Sequence, residues 1–256
     1  MATLTLTSAS NPLLKDVRRA IARGTLTSQG LLVAETFHLL EEAVRSKCEV
    51  PLVLAAEDAV HALLEGNLKV RRVARSVFRE LSGTETAQGI FALVRPPQWK
   101  LQDLFAKVPL IVTLDGIQDP GNAGAIVRAA EAFGSTGIVF LKGTVSPFNA
   151  KTIRASAGSL FRVPFLSGVD PGRASTEFQQ RGLRVYATAP GGDVTPEHAG
   201  LGGPAALIIG SEAKGISNAW SRSTQLRIPT RGVESLNAAL AAVVLLYEAS
   251  RQRNSR

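Results

Sequence analysis

From Pro109 onward the chain alternates between two hydrophobic patterns. Short continuous apolar runs, "LIVTLDG", "GIVFLKG", "LRVYATA", "AALIIGSE" and "TQLRIPT", read as strands. Between them "NAGAIVRAAEAFG", "NAKTIRASAGSLF", "RASTEFQQRG" and "SLNAALAAVVLLYEASR" carry apolar residues at helical spacing. Strands that are apolar throughout and alternate with helices predict a parallel sheet covered on both faces, hence an α/β fold.

The earlier part of the chain is less regular. "SNPLLKDVRRAIARG" predicts a helix opened by Ser10 or Asn11 and closed by Gly24. "GLLVAETFHLLEEAVRS" passes from a short strand into a helix, and "VPLVLAA" is a second strand. "KVRRVARSVFRELSG" reads as an arginine-rich strand or helix, and "QGIFALVRP" as a further strand. Together they predict a small α/β sandwich of normal domain size. Pro96 and Pro97 forbid a regular element after it, and the polar stretch that follows suits a linker. The expected organisation is an N-terminal domain over 1–95, a linker over 96–107 and a C-terminal domain over 108–256.

Composition narrows the classes. Hydrophobic residues make up 45% of the chain, enough for a real core, so a disordered chain is excluded. The formal net charge is +8, and arginine, the better fork for phosphate oxygens, outnumbers lysine. Nucleic acid is therefore a candidate partner, with simple solubility as the bland alternative. Cys48 stands alone, and His38, His61 and His198 are scattered, which leaves no disulfide and no zinc site to assemble. A reducing cytoplasm fits. The N-terminus has no apolar signal region and the run Ala238 to Tyr247 is too short to span a bilayer, so no membrane partner is expected.

Three loops at predicted strand ends carry unusual residues, and ligands of parallel α/β sheets gather there. The first, "LDGIQDPGNAGAIVRAAEAFG", opens Gly116-x-x-x-x-Gly121. A phosphate loop would continue Lys-Ser/Thr, and Asn122-Ala123 supplies neither. The glycine spacing of a dinucleotide loop is also missing, and "GIVFLKG" carries Lys142 where an acid belongs. ATP and NAD chemistry are both disfavoured. Asn122 is expected to cap the following helix. Arg128 and Glu131 form either a weak surface ion pair at i,i+3 or a site where Arg128 reaches a phosphate. The second loop, "LIIGSEAKGIS", ends a buried strand in Gly210-Ser211-Glu212 and turns at Gly215. In the third, "IPTRGVESLNAALAAVV", Ser235 or Asn237 caps a strongly apolar helix.

Taken together, these loops resemble the SpoU (TrmH-type) family of RNA ribose 2′-O-methyltransferases in the SPOUT superfamily. The likeness is carried by Asn122-x-Gly124-x-x-x-Arg128, by Gly210-Ser211-Glu212-x-x-Gly215-Ile216-Ser217, and by Ile228-Pro229 followed by Ser235-Leu236-Asn237. "IRASAGSLFRVPF" is similar to a further family signature, and "SNPLLKDVRRA" and "TETAQGIFALVRPP" resemble its substrate-binding domain, with a fold like ribosomal protein L30e. Ala213 stands where the second motif usually has glycine, and the third motif is about one residue shorter than in some relatives.

The resemblance implies S-adenosylmethionine as methyl donor, bound in a deep trefoil knot and needing no metal. Thr188, Ala189, Gly210, Ile228, Ser235, Leu236 and Asn237 would cradle it. Arg128 would grip the RNA and help remove the 2′-proton, and Asn122, Glu212, Ser235 and Asn237 would order the loops and the hydroxyl. Arginine keeps its proton at any working pH, so positioning suits it better than acting as base. Arg18, Arg19, Arg23, Arg71, Arg72, Arg75 and Arg128 would hold RNA, with ribosomal RNA preferred over transfer RNA. The final helix would serve a homodimer. A non-catalytic RNA-binding protein and a base methyltransferase are the rival classes, disfavoured by the retained Asn122, Arg128, Glu212 and Asn237.

Overall fold

The structure is a computed structural model that describes residues 5–57, 59, 68–82, 89–211 and 213–255. Its contacts divide the chain into two compact units, Met1–Pro97 with Phe148–Phe161, and Gln98–Pro147 with Arg162–Arg256.

In the first unit, helix α1 (Pro12–Arg23) begins where Asn11 accepts a hydrogen bond from the Leu13 amide at 3.0 Å. It ends at Gly24, whose φ of 61° is the left-handed cap that glycine adopts at no steric cost. The sheet has the order β1 (Leu32–Ala34), β4 (Ile90–Val94), β2 (Leu52–Ala56), β3 (Val70–Val73). β4 runs antiparallel to both β1 and β2, whereas β3 runs parallel to β2. The arginine-rich stretch is both elements at once: Val70 and Val73 pair as strand, then α3 (Arg75–Ser82) sends Val77, Phe78 and Leu81 into the core. Phe78 stacks on Phe91 with ring centroids 4.6 Å apart. Helix α2 (Phe37–Arg45) starts at Thr36, whose hydroxyl accepts the Leu39 amide. The start of "TETAQGIFALVRPP" lies outside the described residues.

The segment expected as one helix over "NAKTIRASAGSLF" is shorter. Helix α5 (Ala150–Ala155) stops before Ala157 and Gly158, which take left-handed conformations, and a single 3-10 turn follows at Ser159–Phe161. Within this unit Arg154 of α5 ion-pairs with Glu35. Burial pushes the Glu35 carboxyl above the ordinary carboxylate range, against the opposing pull of that guanidinium.

The second unit holds the predicted parallel sheet, in the order β10 (Thr224–Leu226), β8 (Arg184–Thr188), β9 (Ala205–Gly210), β5 (Leu110–Asp115), β6 (Gly137–Leu141), β7 (Phe165–Val169). The pattern did not predict β7. It is an edge strand whose middle, Ser167 and Gly168, is exposed, so it carries no continuous apolar run. Helices α4 (Pro120–Ala132), α6 (Pro171–Gln180) and α7 (Ala238–Asn254) complete the unit. The part of the expected linker at Leu101–Phe105 is ordered as a 3-10 turn. Leu104 is fully buried, and a Cβ on Gly137 would meet its side chain at 2.4 Å, so the strand needs glycine there. Phe105 lies edge-on to Phe178 and carries the Arg181 guanidinium 4.1 Å above its ring.

β5 and β9 are neighbours, yet the chain leaves β5 toward β6 and β7 before returning to build β8 and β9. That reversal is the topological switch point of the sheet.

Candidate functional site

A cavity of about 340 Å³ opens at the carboxyl ends of β8, β9 and β10. Thr188, Ala189, Gly210, Ile228, Ser235 and Leu236 all line it, although they come from three separate loops. Its volume falls within the roughly 300–1,000 Å³ typical of small-molecule sites.

The end of β8 is tied to β9 through Thr188, whose hydroxyl donates to the Ile208 carbonyl at 3.1 Å and accepts the Gly210 amide at 3.3 Å. Beyond β9 the chain makes a tight turn. Ser211 and Gly215 exchange backbone hydrogen bonds of 3.1 and 2.8 Å, and the Ser211 hydroxyl accepts the Lys214 amide. A Cβ on Gly210 would stand 2.6 Å from the Gly215 carbonyl carbon, so only glycine permits this turn to fold back on its own strand. Glu212, expected at its tip, lies outside the described residues.

The third loop ends at Asn237, which caps α7 by accepting the amides of Ala239 at 2.9 Å and Leu240 at 3.3 Å. Its Nδ2 donates to Oδ1 of Asn122 at 3.2 Å. Asn237 is not among the cavity-lining residues; it fixes the loop that carries Ser235 and Leu236. The expected cap role of Asn122 is corrected. Asp119 caps α4, accepting the Asn122 amide at 2.8 Å, and Pro120 takes the first helical position. Asn122 sits in the first turn, where its side chain joins the start of α4 to the cap of α7.

Arg128 is exposed on α4 and does not line the cavity. The weak pair with Glu131 is not formed, because Glu131 accepts both Nε and Nη2 of Arg162 instead. Among the described residues no hydrogen bond or ion pair occupies the Arg128 guanidinium. In the first unit Arg23, Arg71, Arg72 and Arg75 are exposed, whereas Arg18 pairs with Glu80 at 3.4 Å and Arg19 pairs with Asp16.

One residue of the site escaped the sequence reading. Asp115 ends β5, is 6% exposed, and its Oδ2 accepts the Ser217 amide at 2.7 Å and the Trp220 indole N–H at 3.0 Å. It anchors the chain that follows Gly215 beneath the sheet's edge of loops. The only sequence signal was a carboxylate closing an otherwise apolar strand, a pattern that also describes an ordinary turn.

Comparison with known proteins agrees with this geometry. The SpoU rRNA Methylase family model matches residues 109–247, and an MRM3-like substrate binding domain matches residues 11–92. The chain is 32% identical to the 23S rRNA (guanosine(2553)-2′-O)-methyltransferase RlmP of Bacillus subtilis, over 94% of this chain and 96% of that one. A crystal structure of an RNA 2′-O ribose methyltransferase superposes with a TM-score of 0.82 at 29% identity, covering 98% of this chain and all of the other. The SpoU methyltransferase AviRb of Streptomyces viridochromogenes, solved in complex with AdoMet, superposes at 0.86 with 28% identity, over 96% and 99% of the two chains.

Proposed function

The chain belongs to the SpoU rRNA methylase family, and from that premise we propose that it transfers a methyl group from S-adenosylmethionine to a ribose 2′-hydroxyl of ribosomal RNA. The observation that carries this reading is the convergence of Thr188, Ala189, Gly210, Ile228, Ser235 and Leu236 on one cavity. The preference for ribosomal over transfer RNA rests on the Bacillus subtilis relative, whose length the chain spans almost completely.

The residues present fit the cofactor. The cavity is of a size for a nucleoside-sized ligand, and its walls are largely apolar or small. S-adenosylmethionine supplies a methyl group on a sulfonium, a leaving group that needs no further activation. The chain's own residues do the rest. The loops fix the donor, Asn122 and Asn237 lock the loop beside Ser235, and Arg128 holds the RNA so that the 2′-oxygen lies in line. The 2′-oxygen would take the methyl group as that group's bond to sulfur breaks, sulfur departing as a neutral thioether and the 2′-proton passing to water.

The C-terminal segment closes a deep trefoil knot in this reading. β10 lies at the far edge of the sheet, yet α7 packs on α4 and β9 in the middle, so residues 227–237 must cross back over the loops after β8 and β9. The N-terminal domain over 1–95, L30e-like in fold, holds the RNA through its exposed arginines, and residues 108–256 other than Phe148–Phe161, with the packed turn at Leu101–Phe105, form the methyltransferase domain. On α7, Leu240, Val244 and Tyr247 are 57%, 39% and 58% exposed and recur at helical spacing, while Ala242, Leu245 and Leu246 on other faces are buried. That exposed apolar stripe suits a homodimer. No helix of the described residues is long and apolar enough to cross a membrane, and a cytoplasmic enzyme is proposed.

Mapping ribose methylations in total RNA with and without the gene tests the function directly. Loss of one ribosomal 2′-O-methyl group is expected, and loss confined to transfer RNA would overturn the choice of substrate. Two further outcomes test the parts. Gly210→Val should weaken S-adenosylmethionine binding by about tenfold or more, ~1.4 kcal/mol, because its side chain displaces the turn. Calorimetry showing wild-type affinity would remove the cavity as the cofactor site. Replacing Arg71, Arg72 and Arg75 together by glutamine should weaken RNA binding and lower the slope of log affinity against log salt by about 2–3. An unchanged slope would show that these arginines do not meet phosphates.

A further inference from the structure

The cavity wall contains a residue that the reading above leaves unused. Glu234 precedes Ser235 and lines the cavity with it and Leu236. Of the described lining residues it alone is ionisable. Gly232, at φ 76°, and a hydrogen bond from the Thr230 hydroxyl to the Val233 carbonyl at 2.8 Å turn the loop just before it. Among the described residues its carboxylate has no hydrogen-bond or ion-pair partner, although Arg227 and Arg231 are close in sequence. Among the described lining residues this carboxylate is the only charge, and it gains nothing from a neutral ligand and much from a cation.

S-adenosylmethionine carries a sulfonium and an ammonium against a single carboxylate, so its methionine end, sulfonium included, is net positive. We infer that Glu234 is a specificity-determining residue that holds this cationic end, while the glycine turn and the β8 loop hold the adenosine. The inference rests on the cofactor reading given above. It makes Glu234 a selector of charge rather than of shape, because the adenosine grip is the same for charged and uncharged relatives of the cofactor.

Glu234→Gln keeps the size of the side chain and removes its charge. Binding of two probes to the full chain, measured by calorimetry, separates the possibilities: S-adenosylmethionine itself, and 5′-methylthioadenosine, which has the adenosine and the sulfur but neither positive group. The variant should bind S-adenosylmethionine about tenfold more weakly and 5′-methylthioadenosine within about twofold of wild type. Because Glu234 is exposed, the tenfold difference should shrink as salt is raised. Glu234→Asp should recover part of the loss. Equal weakening of both probes would mean that the substitution only deforms the loop, and unchanged affinity for S-adenosylmethionine would remove Glu234 from the site; either result overturns the inference. Wild-type protein that binds neither probe would instead overturn the cofactor reading.

Discussion

Replacing Asp115 by alanine is expected to cost about 2–5 kcal/mol of stability and to weaken cofactor binding as well. The carboxylate is buried at the end of β5 and receives two donors, the Ser217 amide and the Trp220 indole. Removing it leaves both donors without their acceptor, each at about 1–3 kcal/mol, and leaves a small void under a fully buried tryptophan. Trp220 stacks on Phe178 with centroids 6.0 Å apart, so the disturbance reaches the core between α6 and the sheet. Asp115→Asn retains one acceptor oxygen in the same place and should lose roughly half as much. Denaturant unfolding followed by tryptophan fluorescence measures both, since Trp220 is one of only two tryptophans in the chain. Stability of the alanine variant within about 0.5 kcal/mol of wild type would show that the anchor is dispensable. The binding loss follows because Gly215, in the cavity wall, is only two residues from the anchored Ser217. Cofactor affinity should therefore recover in the asparagine variant in step with stability.

The parts of the fold that depend on local pattern were legible. The central strands β5, β6 and β9 of the parallel sheet are almost wholly apolar because both faces are covered, and the helix caps at Asn11, Gly24 and Asn237 obey steric and hydrogen-bonding rules that act within a few residues. β7 was invisible for the opposite reason. At the sheet edge only Phe165 is buried, while Ser167 and Gly168 face solvent, so the strand has no continuous apolar run. Asn122 was misplaced as a cap because Asp119 and Asn122 are both good capping residues, and Pro120 decides between them by taking the first helical position. Leu101–Phe105 read as linker because its attachment, Leu104 against Gly137 and Phe105 against Phe178, is made to residues more than thirty positions away. Asp115 belongs to the same class. Its meaning comes from Trp220, over a hundred residues on, and no periodicity carries that information. Six of the cavity's lining residues were expected from a family resemblance, whereas Glu234, the one ionisable residue among the described lining residues, was found only from the structure.

Arg128→Ala should lower kcat/KM for methyl transfer by about 10²–10⁴ while leaving the Kd of S-adenosylmethionine unchanged. The split follows from placement. Arg128 does not line the cavity, so the cofactor does not depend on it, yet it projects from α4, whose first turn is joined to the cap of α7 by the Asn122–Asn237 hydrogen bond. On the proposed reading, a guanidinium carried on a helix that is tied to the cavity's third loop would serve as an arm for an RNA phosphate. Arg128→Lys tests what kind of arm it is. Lysine keeps the charge but loses the planar fork, so a site that needs two-point grip should still fall by roughly 10–100-fold. If charge alone matters, the lysine variant should approach wild type while alanine does not. Methyl transfer to the RNA identified by methylation mapping, at saturating cofactor, distinguishes these results. Wild-type rates in both variants would sink the assignment of Arg128 to the reaction. A loss in the alanine variant matched by an equal loss of cofactor affinity would move Arg128 from the RNA to the scaffold of the cavity.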